Sequence, residues 1–67
     1  MSNEVVLQQL QHLIGTRYVP TVKTYISELT GRARVTGPNE PTTREFDSNR
    51  INIAADDEAI ITGFSFA

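Results

Sequence analysis

Residue types that could carry out chemistry are few in this chain and widely spaced. His12 is the only histidine, and no cysteine is present, so neither a disulfide nor a Cys-based metal site can form. His12 lacks the clustered partners that metal binding or acid–base catalysis requires, so a partly exposed helix residue is the better interpretation. The serines have no histidine in a recognisable catalytic setting. The sequence therefore predicts a protein that is not an enzyme and that uses no cofactor or metal.

Two charged clusters also favour ordinary surface positions. The acidic run at 56–58 is too short for an EF-hand loop, which draws ligands from twelve positions, and a solvated turn is the better interpretation. Lys23, Arg32 and Arg34 could form a basic patch, but the formal net charge of −2 favours a surface strand face. We therefore expect no nucleic acid and no anionic membrane as a partner.

The stretch PTTREFDSNR at 41–50 differs from these clusters because it is long, polar, free of glycine and centred on an arginine. Charge runs are usually solvated connections, and that alternative stays open. Pro38 and Pro41, however, fix φ and bias the preceding residues towards extended conformations. Arg50, at its end, and Asn52 lie on the strand face opposite Ile51 and Ile53, and if that face looks towards the loop their donors could brace it from beneath. The pattern favours a stiff, exposed, strand-like segment.

Two N-terminal segments carry apolar residues at helical spacing. The first predicted helix has an apolar face of Val6, Leu10, Leu13 and Ile14, a cap at Asn3 and a stop at Gly15. The second has an apolar side of Tyr18, Val22, Tyr25 (or Ile26) and Leu29, with Pro20 in its first turn and Gly31 as a left-handed stop.

The period then changes to two, which predicts strands. A first strand is predicted over 32–36, a second over 50–55 with Ile51 and Ile53 on one face, and a third from Ala59 to Thr62, running towards Phe64 and Phe66. The acidic turn at 56–58 separates the last two. We therefore expect an α+β fold, with one or two helices packed on a small three-stranded mixed sheet. The connection between the first two strands exceeds the usual median of about 4–6 residues.

The length of 67 residues fits a single domain over 1–67, with a compact core. A hydrophobic content of 39% suffices for a folded core. The start MSNEVV does not read as a signal peptide, and no stretch reaches the roughly 20 apolar residues of a membrane span. The expectation is a cytoplasmic protein with no membrane partner, unless an unconventional route exports it.

The order and spacing of the motifs resemble a known family. LIG at 13–15, Thr43-Arg44-Glu45-Phe46 and, at a fixed distance, Arg50-Ile51-Asn52-Ile53 resemble the small elastase-inhibitor family of fungi and bacteria. That family is similar in fold to the potato inhibitor I group, which includes chymotrypsin inhibitor 2 and eglin. The resemblance runs from about Leu13 to Ala67, and the first helix matches more loosely.

The resemblance implies a reactive loop over about 38–49 and a role for each of its central residues. Thr42 to Phe46 would bind the protease, with Arg44 before the scissile bond, Glu45 after it, and Thr43 and Glu45 held by polar groups of the sheet. Arg50 matches the family's supporting arginine. Asn52 stands where the potato inhibitors often have a second arginine and the elastase inhibitors an asparagine.

Three positions depart from the family's pattern. Asn39 replaces a common glycine, and asparagine is the next best residue for a left-handed turn. Ser2 and Phe66 stand about where the elastase inhibitors have a cysteine pair, so the tie between the chain ends must be non-covalent. Arg44 replaces an apolar residue, often methionine or leucine, and this change affects the choice of target.

The resemblance thus implies a reversible, substrate-like inhibitor of serine endopeptidases, a monomer when free. An arginine before the scissile bond points to trypsin-like enzymes. Subtilisin-like proteases remain alternative targets, and a non-inhibitory interaction module that uses the same loop remains the alternative from another class.

Overall fold

The computed structural model describes residues 2–38, 40 and 47–67. Helix α1 spans Asn3–Leu10 and continues as a 3-10 helix over Gln11–Leu13; helix α2 spans Thr21–Thr30. Strands β1 (Val35–Thr36), β2 (Ile51–Ala55) and β3 (Ile61–Phe66) form one sheet in that spatial order. β1 pairs parallel to β2, and β2 pairs antiparallel to β3. The predicted α+β fold with a three-stranded mixed sheet is confirmed.

The first helix begins one residue earlier than predicted. Ser2 is its N-cap, and the Ser2 hydroxyl accepts a hydrogen bond from the Val5 N–H. Asn3 is therefore the first helical residue and not the cap. Val6 and Leu10 are buried as expected, but Ile14 lies beyond the 3-10 helix and is exposed.

In the second helix, Ile26 and not Tyr25 packs into the core. Ile26 is fully buried, whereas Tyr25 and Leu29 are exposed, so the assignment of Leu29 to the buried face was wrong. Pro20 occupies the N-cap position, just before the first turn. Gly31 ends the helix in the left-handed conformation with φ of 73°, as predicted.

The sheet follows the predicted alternation best in β2. Ile51 and Ile53 are both buried, and they pair with Phe66 and Phe64 of β3. β1 is shorter than expected, because only Val35 and Thr36 pair with β2. The buried core unites both helices with β2 and β3 and consists of Val6, Leu10, Ile26, Ile51, Ile53 and Ile61.

The connection between the helices also joins the sheet, which the sequence did not indicate. The N–H of Gly15 donates to the oxygen of Ile61 at 2.8 Å, and the N–H of Ile61 donates to the oxygen of Thr16 at 2.8 Å. The outer edge of β3 is therefore partly covered at its start. Among the described residues, no helix is long and apolar enough to cross a membrane.

Candidate functional site

The candidate site is the base of the long connection between β1 and β2. The predicted protease-binding residues Thr42, Thr43, Arg44, Glu45 and Phe46 lie outside the described residues, so their roles stay predictions. Both flanks of that segment are described, at residue 40 on one side and from Asp47 on the other. We call these flanks the N-terminal base (residues 37, 38 and 40) and the C-terminal base (residues 47–50).

The N-terminal base is attached to helix α2 through Glu40. Lys23 Nζ lies 2.7 Å from Glu40 Oε1, and the main-chain N–H of Gly37 donates to the other carboxylate oxygen. The hydrogen bond from Lys23, followed by the one from Gly37, lowers the pKa of Glu40. The same contact raises the pKa of Lys23. Glu40 is therefore held as a carboxylate between α2 and the end of β1.

A side chain at position 37 would disturb this arrangement. A Cβ atom built on Gly37 would meet the Glu40 carboxylate and would lie 2.6 Å from the hydroxyl oxygen of Tyr18. Both contacted atoms are the ends of side chains, so a larger residue at this position would displace the Glu40 carboxylate and the Tyr18 hydroxyl from their present places. Tyr18, Lys23 and Glu40 also line a surface cavity of about 620 Å³ beside the N-terminal base.

The C-terminal base begins with Asp47, which makes three contacts with described residues. One carboxylate oxygen lies 3.3 Å from Arg34 Nη1, and the other accepts from the N–H of Asn49 at 2.9 Å. The main-chain oxygen of Asp47 accepts from the N–H of Arg50 at 2.9 Å. These bonds form a local turn, of the kind aspartate favours, directly before β2.

Arg50 and Asn52, the predicted supporting residues, converge on the end of β3. Arg50 Nε donates to the main-chain oxygen of Ala67 at 2.5 Å, and Asn52 Nδ2 donates to the same oxygen at 3.3 Å. Arg50 is 8% exposed, which is unusual for an arginine and requires paired donors. The expected contacts of both residues with Thr43 and Glu45 stay predictions.

Asn52 also carries an acceptor that the described contacts do not use. Its Oδ1 atom is buried and has no hydrogen-bond partner among the described residues. A buried amide oxygen normally has a partner, so this atom is an exception that needs a reason. Asn52 stands on β2, where it pairs with Thr36 of β1 and with Ser65 of β3.

The other candidate residues take the ordinary positions that the sequence favours. His12 is exposed and its Nε2 lies 2.9 Å from the Tyr25 hydroxyl. Asp56 Oδ1 accepts from the N–H groups of Glu58 and Ile60, which makes 56–58 a hydrogen-bonded turn. Within residues 2–38, 40 and 47–67, no cluster of three or more His, Asp or Glu side chains is placed to hold a metal ion.

This fold is similar to a solved structure of the elastase inhibitor AFUEI (crystal form II). The two share 29% sequence identity with a TM-score of 0.62, and the similarity covers 96% of this chain and 93% of that chain. The resemblance to the elastase inhibitors is confirmed. No protein-family model matches the chain, and no curated protein matches its sequence. The similar structure is an inhibitor, which agrees with the expectation that the chain is not an enzyme.

The elastase-inhibitor-like fold includes contacts that the sequence did not reveal. The sequence predicts surface positions for Lys23, Arg32 and Arg34, and it does not indicate that each makes a polar contact with one of the two bases. A pairing of Lys23 with Glu40, or of Arg34 with Asp47, has no periodic signature because the partners stand on different elements. The useful signal was the opposite charge of the cations before the loop and the acids at its two ends.

Proposed function

We propose that the protein is a reversible, substrate-like inhibitor of serine endopeptidases, with Arg44–Glu45 as its reactive bond. The observation that carries the proposal is the similarity to an elastase inhibitor over nearly the whole chain. The anchored bases add physical support. A loop fixed at both ends loses less conformational entropy on binding than a flexible peptide does.

The proposed mechanism follows from that fixation. Thr42 to Phe46 bind in the active-site cleft as an added strand, and the protease serine attacks the carbonyl carbon of Arg44. If the Arg44–Glu45 bond is cleaved, two new chain ends form. The Lys23–Glu40 contact fixes the chain before the new carboxyl end, and the turn at Asp47 fixes the chain after the new amino end. The new amine then stays near the acyl group, and religation competes with hydrolysis.

Arg44 selects the target class. A guanidinium in the primary pocket of a trypsin-like enzyme meets a buried aspartate in a charge-assisted pair. An elastase has a small primary pocket, which does not admit an arginine side chain. Trypsin-like enzymes are therefore the proposed targets, although the similar structure is that of an elastase inhibitor. Subtilisin-like enzymes are the second candidate target, because the family that the loop sequence resembles favours them and their pockets can be permissive.

Titration of trypsin, subtilisin and elastase with the full chain tests this function. An inhibitor of trypsin removes activity in proportion to its amount, up to one molecule per active site. An ordinary substrate delays turnover and is consumed, and a non-inhibitory interaction module leaves all three activities unchanged. Either of the last two results would refute the proposal.

A further inference from the structure

Arg32 brings together three parts of the chain that are distant in sequence. Its Nη1 donates to the main-chain oxygen of Asn49 at 3.0 Å, and its Nη2 donates to Oδ1 of Asn3 at 2.8 Å. Its Cζ atom lies 6.0 Å from the ring centroid of Phe66, within cation–π range. One side chain thus contacts the C-terminal base, the start of α1 and the end of β3.

Asn3 connects Arg32 to a second main-chain carbonyl of the C-terminal base. Its Nδ2 donates to the main-chain oxygen of Ser48 at 3.1 Å, while its Oδ1 accepts from Arg32. A primary amide can do both at once because it has an acceptor and two donors. The carbonyls of Ser48 and Asn49 are therefore held together, one through Asn3 and the other directly.

These two carbonyls belong to the turn that follows the proposed reactive segment. We infer, on the basis of the function proposed above, that Arg32 is a positioning residue that fixes the C-terminal base to α1 and β3. Arg32 contacts the segment that carries the new amino end, and this segment must keep its position if religation at Arg44–Glu45 is to compete with hydrolysis. It also supplies the non-covalent tie expected between the chain ends, since Asn3 follows Ser2 and the ring contacted is that of Phe66.

The chemistry of this position requires arginine. The planar guanidinium directs separate N–H groups at two acceptors and presents a flat cation to the ring. A lysine ammonium at the same place is a compact point charge without that fork. An Arg32→Lys variant should therefore keep part of the contact and recover part of the function.

The experiment compares Arg32→Ala, Arg32→Lys and Arg17→Ala in the full chain. Arg17 is exposed, and its variant loses the same charge. The inhibition constant and the rate of cleavage of the loop are measured where circular dichroism shows every variant to be folded. Loss of hydrogen bonds to a charged group predicts at least tenfold weaker inhibition and faster cleavage for Arg32→Ala. Arg32→Lys should lie between, and Arg17→Ala should match the parent.

A purely structural role for Arg32 gives a different result. In that case Arg32→Ala melts at a lower temperature, but its inhibition constant and cleavage rate match those of Arg17→Ala, and the inference is overturned. If the parent chain inhibits no protease, the proposed function fails. Hydrogen exchange of the Arg50 N–H, which is bonded to the Asp47 oxygen, then tests separately whether Arg32 fixes the C-terminal base. Exchange at least tenfold faster in Arg32→Ala than in Arg17→Ala supports it; equal rates refute it.

Discussion

Arg50 and Asn52 share one acceptor, the main-chain oxygen of Ala67. The main chain of Arg50 belongs to the C-terminal base, directly before β2, and its guanidinium is anchored to Ala67, the residue after β3. A buried arginine held in this way has a fixed side-chain conformation. That rigidity is the property that the proposed supporting role needs.

Arg50→Ala should weaken the proposed inhibition. The variant removes a charged donor that is 8% exposed and frees the end of β3. Hydrogen bonds to charged groups contribute about 1.5–3 kcal/mol, so we expect a tenfold to hundredfold higher inhibition constant and faster cleavage at Arg44–Glu45. Inhibition assays and mass spectrometry of the cleaved chain measure both, with Arg17→Ala as the charge-matched control. Parent-like values for Arg50→Ala would refute the supporting role.

Glu40 makes the N-terminal base sensitive to acid. Its pKa is lowered in the folded chain, mainly by the hydrogen bond from Lys23, so the unfolded chain binds more protons at acidic pH. Its contribution to stability is complete above the ordinary glutamate pKa of about 4.3 and is lost as the pH falls through the lowered value. Lys23, with its raised pKa, stays charged throughout that range.

Glu40→Gln should remove this part of the acid dependence. Below the lowered pKa the parent and the variant should differ little in stability, and the advantage of the parent should grow between that pKa and neutral pH. Thermal unfolding across this pH range measures the difference, with Glu28→Gln, an exposed change of equal charge on α2, as control. A constant difference between parent and Glu40→Gln at all pH values would contradict the argument.

At the level of elements, topology explains part of the length of the loop. β1 and β2 are parallel, and parallel neighbours need a crossover connection of a dozen or more residues. The length of the connection at 37–50 is therefore no evidence of function by itself. The prolines, the central arginine and the anchored bases are the features that distinguish this connection from an ordinary crossover.

The sequence predicted elements whose pattern is local and missed contacts that are not. The alternation of Ile51 and Ile53 identified β2, because a period of two leaves one choice of buried face. Tyr25 and Ile26 could not be told apart as readily, because adjacent positions both border a helical stripe. The contacts of Arg32 with Asn3 and Asn49 span 29 and 17 residues, and no local pattern encodes them.

A variant in the connection between the helices separates stability from inhibition. Gly15 has φ of 91°, and alanine in a left-handed conformation costs about 1–2 kcal/mol. Gly15→Ala should thus lower the melting temperature by roughly 4–16 °C in a domain of this size. The inhibition constant at 25 °C should not change, because Gly15 makes its main-chain bond to Ile61 of β3 and not to either base. A matching loss of inhibition would show that the loop responds to global stability alone.

At the scale of the whole chain, which contains no cysteine, polar side chains connect the chain ends and the two bases of the long connection. Lys23 and Arg34 attach the two bases to α2 and to the residue before β1, while Arg32 and Arg50 connect the C-terminal base to the end of β3. Within the described part of the chain, a core of six buried aliphatic residues supports both helices and the sheet. Such an arrangement fixes both bases of the connection between β1 and β2 to the rest of the fold.

The inhibition constant of trypsin for the parent chain and for Arg44→Met tests the central claim most directly. Removal of one partner from a buried charge pair typically costs about 3–5 kcal/mol, so Arg44→Met should bind trypsin more than a hundredfold more weakly. The same variant should keep or improve binding to subtilisin, whose pocket accepts apolar groups, and should unfold at the temperature of the parent. A trypsin constant that barely changes would show that Arg44 does not enter the pocket and that Arg44–Glu45 is not the reactive bond.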